Sequence, residues 1–192
     1  MAVTAVVFDV GETLVDETSN WEHAADQCGV PRFTLMALVG AAAARGESPF
    51  TAFDYLGVRP EHSAFDHDAF YPDAVPCLAR LREEGYFVGA VGNMGIVHEQ
   101  LPRPHVDFVA SSERWGVEKP SPEFFERILA EAARPADEVA YVGDLVRNDV
   151  EPALAAGMVA VHIRRGPWGY LYEPPPEAIR IRSLDELPGA LA

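Results

Sequence analysis

Apolar positions along the chain fall into two alternating kinds of segment. The first kind is a short, nearly continuous apolar and β-branched run: VTAVVF at 3–8, YFVGAV at 86–91, VDFVA at 106–110, VAYV at 139–142 and VAVHI at 159–163. Runs of this length and composition read as strands buried on both faces of a parallel sheet. The second kind spaces apolar residues three and four apart. Residues 74–84 set Val75, Leu78, Ala79 and Leu81 on one helical face and stop at Gly85. Residues 122–133 gather Phe124, Phe125, Ile128 and Leu129, with Ser121 as N-cap and Pro122 at the first helical position, and residues 150–156 form a short helix that ends at Gly157. Strands alternating with helices in this way predict an α/β protein with a Rossmann-like, doubly wound parallel sheet core.

Residues 16–70 break the rhythm. The stretches 34–46 and Phe50–Leu56 read as helices, no strand of convincing length accompanies them, and the block stands between the first strand and its first core helix. Such a block is no simple crossover. The expected division is an α/β core of residues 1–15 and 71–192, with residues 16–70 as a small helical cap beside the carboxyl ends of the strands. A tail rich in proline and aromatic residues starts at Gly166 and finishes in a short helix from about Leu184.

Composition narrows the classes of function. The 192 residues are 48% hydrophobic and 23% charged, which suits one ordinary domain carrying an insertion. Thirty acidic against fifteen basic side chains give a net charge of -15. No basic run gathers phosphate backbones or anionic head groups, so nucleic acid and membrane surfaces are not expected partners. The start, MAVTAVVFDVGETL, lacks the features of a signal peptide, no apolar run approaches the ~20 residues that span a bilayer, and the expected location is cytoplasmic. Cys28 and Cys77 show neither a metal-binding spacing nor a disulfide framework, and read as small buried thiols. The six histidines share no metal-site spacing; His67, between Asp66 and Asp68, reads as part of a solvated acidic loop. One detail adds chemistry. Of the basic residues, Lys119 is the only lysine, and a compact ammonium is something a guanidinium replaces badly at an anion site.

In an open parallel sheet, ligands bind at the carboxyl ends of the strands, where strand order reverses. The polar residues at those ends are Asp9, Gly92-Asn93, Lys119 ahead of the 122–133 helix, and Asp144 with Asp149. An aspartate after an apolar strand also serves as a plain helix N-cap. Two of them together with the sole lysine favour a site.

The segments FDVGETLVDE, VGNMG, EKPSPEFF and YVGDLVRNDVEPALAAGM resemble the four signature regions of the haloacid dehalogenase-like hydrolase superfamily, over residues 2–14 and 72–165. The most specific part is GDxxxxD followed by AGM. The resemblance implies a hydrolase, in most members a Mg²⁺-dependent phosphohydrolase on a Rossmann-like sheet. By position, Asp9 matches the nucleophile that forms an aspartyl-phosphate, and Lys119 the lysine that offsets charge on the nucleophile and on the transferring phosphoryl group. Asp9, the backbone carbonyl of Gly11 and Asp144 match the Mg²⁺ ligands, and Asp149 either touches a metal-bound water or orients Lys119. Oxygen donors of this kind suit Mg²⁺. Thr13 is expected to tie down the nucleophile loop through its hydroxyl.

Two positions depart from that pattern. Gly11 stands where phosphatases carry an acid/base aspartate, and loss of such a group costs typically ~10²–10⁴-fold, unless Glu12, Asp16 or the substrate supplies the proton. Gly92 stands where a Ser or Thr grips a phosphate oxygen; backbone N–H groups of Gly92, Asn93 and Met94 are the expected substitute. The leading reading is phosphatase-type hydrolysis of a small phosphorylated metabolite, with Asp9 and Lys119 catalytic and Gly92, Asn93 and Lys119 binding substrate. The alternative is a catalytically impaired relative that binds a phosphorylated ligand or a partner protein. A metal-free dehalogenase is disfavoured because GDLVRND presents a metal-type aspartate, and a receiver domain because its acidic residues follow another order. Trp115 reads as core near the lysine loop, and Arg164–Gly169 either as a packed tail or as an arginine for an anionic substrate group.

Overall fold

A computed structural model describes residues 2–61 and 69–191; His62 and the His67 loop lie outside the described residues. Six strands form one parallel sheet: β1 (Ala5–Phe8), β4 (Phe87–Gly92), β5 (Phe108–Ser111), β6 (Val139–Gly143), β7 (Val159–Ile163) and β8 (Ile179–Ile181). Two short strands, β2 (Val15–Asp16) and β3 (Ala69–Phe70), pair where the chain leaves the core and returns to it. The spatial order of the large sheet is β5-β4-β1-β6-β7-β8. The chain therefore builds outward from β1 in one direction, then crosses over and builds from β6 in the other. The reversal falls between β1 and β6, and the residues that follow those strands share one end of the sheet.

The sheet is buried on both faces, as continuous apolar runs require. Alternate residues of β1 serve different cores: Val6 and Phe8 pack with Leu78, Leu81 and Leu184 on one face, and Ala5 and Val7 pack with Phe124, Phe125 and Ile128 on the other. Helix α4 (Ala74–Glu83) covers the first face through Ala74, Cys77, Leu78 and Leu81. The buried stripe is thus offset from the expected one; Ala79 is exposed and Val75 only half-buried, because the 74/77/78/81 spacing follows the helical repeat more closely. Helix α6 (Pro122–Ala132) covers the other face as expected, with Leu129 partly buried, although the Ser121 side chain makes no capping bond. Strand β8, with Arg180 at its centre, was not foreseen. Trp115 packs edge-on to Phe124 at 5.0 Å between ring centroids, as a core residue does. Both cysteines are free thiols.

The chain divides into two compact units, residues 1–15 with 70–192 and residues 16–69. The second is helical: α1 (Thr18–Gln27), α2 (Arg32–Ala44) and α3 (Thr51–Leu56). Its centre is aromatic, with Trp21 stacked on Phe53 at 6.3 Å and tilted against Phe50 at 5.6 Å. Asp16 accepts the Thr18 N–H at 2.9 Å and so helps start α1. Among the described residues, no helix is long and apolar enough to cross a membrane.

Candidate active site

β1 ends at Phe8, opposite Val142 of β6, and the Asp9 N–H extends the ladder to the Val142 carbonyl at 2.8 Å. This register places Asp9 beside the end of β6, where Asp144 follows Gly143. Between them and α7 (Glu151–Ala155) the chain makes a single π-helical turn, Val146–Val150, which carries Asp149 back toward the sheet. Such turns recur at functional sites because the wider ring re-aims one side chain. Gly143 is required by close approach: a Cβ there would collide with the Asp149 side chain, 2.7 Å from Oδ2.

Carboxylate oxygens of Asp9, Asp144 and Asp149 lie within 4.8 Å of one another, and all three residues are buried. Lys119 faces them. Its Nζ donates to Asp9 Oδ1 at 2.6 Å and to Asp149 Oδ1 at 2.7 Å. The lysine segment is fixed by Asn93, whose side chain accepts the Lys119 N–H at 2.8 Å and donates to the Lys119 carbonyl at 2.9 Å. Asn93 therefore spends its side chain holding Lys119, so any direct contact it makes with a ligand would have to come from its backbone. The Met94 N–H is donated to the Gly92 carbonyl at 2.9 Å, so it is not part of the expected anion nest. A Cβ at Gly92 would lie 3.5 Å from Asp9 Oδ1, so this position faces the same space.

The electrostatics follow from burying three acids around one base. Burial pushes Asp9 up to about 6 although Lys119 pulls it down, and Asp149 adds to the rise. Burial also lifts Asp144 well above the carboxylate range, reinforced by Asp149, Asp9 and Glu12. Burial disfavours the charged form of Lys119, but Asp149 and Asp9 overcome it and hold the ammonium well above its ordinary value. The cluster has more negative charge than its one cation offsets.

A divalent cation fits this donor set. Asp144 Oδ2 is buried and has no hydrogen-bond partner among the described residues, an expensive condition unless something occupies it. Asp9 and Asp144 have the chemistry to hold Mg²⁺, which prefers a few carboxylates and retained waters. Asp149 is turned elsewhere: Oδ1 accepts from Lys119 and, at 3.3 Å, from the Tyr141 hydroxyl, and Oδ2 accepts the Leu145 N–H at 3.0 Å. That arrangement favours the lysine-orienting role over direct metal contact.

His162 and Tyr141 join the site without a signal in the sequence, and Thr13, Arg164 and Arg165 take contacts other than a substrate. His162 is buried on β7, with Nε2 3.0 Å from the Asp144 carbonyl. A carbonyl only accepts, so by elimination Nε2 carries the proton, and burial lowers the ring's affinity for a second one. Tyr141 lies under Lys119, Nζ being 5.8 Å from its ring centroid. The Thr13 hydroxyl, expected to bond the backbone, is buried without a partner among the described residues; it is the Thr13 carbonyl that is tied, by Arg165 Nη1 at 2.9 Å. Arg165 also pairs with Asp73 and so braces the loop instead of facing a substrate. Arg164 is partly exposed and lies 5.3 Å over the Tyr170 ring. Apart from the Arg164–Tyr170 contact, these pairs are distant in sequence, so no spacing announces them.

The haloacid dehalogenase-like hydrolase family pattern matches residues 3–157. Glyceraldehyde 3-phosphate phosphatase of Methanopyrus kandleri is 41% identical over 102 residues, 50% of this chain and 44% of that protein. The enzyme of the same name from Methanocaldococcus jannaschii is 32% identical over 124 residues, 61% of this chain and 54% of its own. The chain thus spans about half the length of the curated relatives it matches. A solved L-2-haloacid dehalogenase superposes with a TM-score of 0.78 at 19% identity, covering 100% of this chain and 99% of that one. At that identity the likeness shows the fold and does not choose between carbon–halogen and phosphorus chemistry. The chain belongs to the haloacid dehalogenase-like hydrolase family.

Proposed function

We propose that the chain is a Mg²⁺-dependent phosphohydrolase acting on a small phosphorylated metabolite through an aspartyl-phosphate on Asp9. The observation that carries this reading is the convergence of the Asp9, Asp144 and Asp149 carboxylates on Lys119 at the switch point of the sheet. The phosphatase names of the matched relatives support it. Bound Mg²⁺, held by Asp9, Asp144 and the Gly11 carbonyl, would supply positive charge that lets two anions approach. Asp9 attacks phosphorus; a P–O bond to the carboxylate forms as the bond to the leaving group breaks. Water then attacks the phosphorus of the acyl phosphate, releasing inorganic phosphate and restoring Asp9. Lys119 stays charged, held by Asp9 and Asp149 in the free protein and by Asp149 and the phosphoryl oxygens once Asp9 is esterified, and it offsets charge on the nucleophile and on those oxygens. Gly92 and the backbone of Asn93 would bound the phosphoryl space, and substrate choice would come from residues 16–70, the proposed cap.

Gly11 favours a second reading: a relative that binds a phosphorylated ligand or partner protein with little turnover, since no carboxylate follows two positions after the nucleophile. p-Nitrophenyl phosphate with Mg²⁺ separates the two. Turnover in the wild type that is lost in Asp9→Asn supports the enzyme; turnover only after Gly11→Asp supports the binder. A dehalogenase would release halide from a 2-haloacid without metal.

A further inference from the structure

Glu12 is placed oddly for a residue with a side chain. It takes a left-handed backbone, φ 53°, which glycine adopts freely and glutamate rarely does. It is also buried, at 5% exposure, although the proposed chemistry gives its carboxylate nothing to do. Residues that persist in such conformations are over-determined by their surroundings, and the surroundings here are specific. The Tyr71 hydroxyl donates to Glu12 Oε2 at 2.6 Å. On another side stands Gly166, where a Cβ would lie 2.8 Å from Glu12 Cβ and closer still to Oε2, so only glycine leaves the room Glu12 occupies.

Tyr71 is held in turn. The Arg165 guanidinium covers its ring at 4.2 Å, while Nη1 of the same arginine donates to the Thr13 carbonyl at 2.9 Å. The Tyr71 N–H donates to the Leu14 carbonyl at 2.9 Å. Arg165 is anchored by Asp73, which also accepts from Ser183 Oγ at 2.8 Å and the Leu184 N–H at 2.9 Å. Three consecutive residues of the loop after Asp9 are therefore gripped: Glu12 by its side chain, Thr13 and Leu14 by their carbonyls.

We propose that Glu12, Tyr71 and Gly166 are positioning residues, a clamp that holds the turn after β1 so that Asp9 and the Gly11 carbonyl keep their places at the acidic cluster. Glu12 acts as a hydrogen-bond acceptor for Tyr71, not as a proton carrier. The inference rests on the proposed role of Asp9, and its test is chosen to stand apart from that role.

The test compares Tyr71→Phe, Glu12→Ala and Glu12→Gln in the full chain. Kinetics on p-nitrophenyl phosphate are measured beside Mn²⁺ affinity by titration calorimetry and thermal midpoint. Outer partners of metal-site groups are typically worth 10–100-fold in affinity or activity. Tyr71→Phe and Glu12→Ala are expected to lower kcat and weaken Mn²⁺ binding about tenfold, with KM unchanged and folding retained. Glu12→Gln keeps an oxygen that accepts from Tyr71 and recovers most of the loss. A Glu12→Gln protein as impaired as Glu12→Ala, or a Tyr71→Phe protein indistinguishable from wild type, overturns the clamp. If the wild type hydrolyses no phosphate ester, the proposed function fails, and the Mn²⁺ affinities of the same variants still decide the clamp.

Discussion

The Lys119 ammonium stands 2.6 Å from the Asp9 carboxylate and is the sole lysine of the chain. Because Asp149 holds the same nitrogen at 2.7 Å, the cation is fixed on Asp9, the proposed nucleophile, and is not free to follow solvent. Replacing Lys119 by arginine keeps the charge but forces a planar fork into a buried space closed by Asp9, Asp149 and the Tyr141 ring. Lys119→Arg is expected to lower kcat on p-nitrophenyl phosphate by about 10²-fold or more. Lys119→Met removes the strongest influence that lowers Asp9, leaving only the Val10 backbone hydrogen bond on that side, so the acidic limb of its pH–rate profile moves upward.

Stability should depend on pH in a direction set by Asp9. Its carboxyl titrates near 6 in the folded chain against an ordinary 3.8. The folded state therefore holds a proton that the unfolded state releases over this range, and the contribution to stability, full below 3.8, disappears as pH rises through about 6. Asp144 is shifted in the same direction. Asp73 and Glu99 are lowered and contribute oppositely, losing stability as pH falls. Comparison with Asp9→Asn isolates the effect: the thermal midpoint of the metal-free wild type should fall relative to that variant between about pH 4 and pH 7. Mg²⁺, which needs ionised ligands, should restore it more at neutral than at acid pH. A wild-type advantage that grows with pH without metal would contradict this.

Under the proposed chemistry, Gly11 should make the rate depend on the leaving group. With no carboxylate at that position to protonate a departing alkoxide, p-nitrophenyl phosphate should turn over much faster than a simple alkyl phosphate, by roughly the 10²–10⁴-fold of general acid catalysis. Gly11→Asp should narrow the gap mainly by raising the alkyl rate. Equal wild-type rates on both esters would place a proton donor elsewhere, and would contradict the purely structural role given to Glu12 if Glu12→Gln then abolished the alkyl rate.

What could be read beforehand follows the range of the interactions. Asp9 and Asp144 end apolar runs, and doubly wound topology brings such ends together, so their meeting was legible from pattern and family resemblance. The same holds for Lys119, conspicuous by composition. Strand β8 was not legible, because Ile179–Ile181 places an arginine between its two apolar residues and follows a proline-rich stretch. The Glu12–Tyr71–Arg165 grip and the His162 contact with Asp144 join residues far apart in sequence, and no periodicity encodes such pairs. Thr13 shows the limit of reading a residue type alone. Its hydroxyl invites a hydrogen bond, yet the bond that forms uses its carbonyl.

The most direct test of the account is the covalent one. The protein is mixed with p-nitrophenyl phosphate and Mg²⁺, quenched in acid within a turnover, digested, and its peptides weighed. The account predicts the mass of one phosphoryl group on the peptide that carries Asp9, and none in Asp9→Asn. Steady turnover with that peptide unmodified, or a phosphoryl group on another residue, would contradict it.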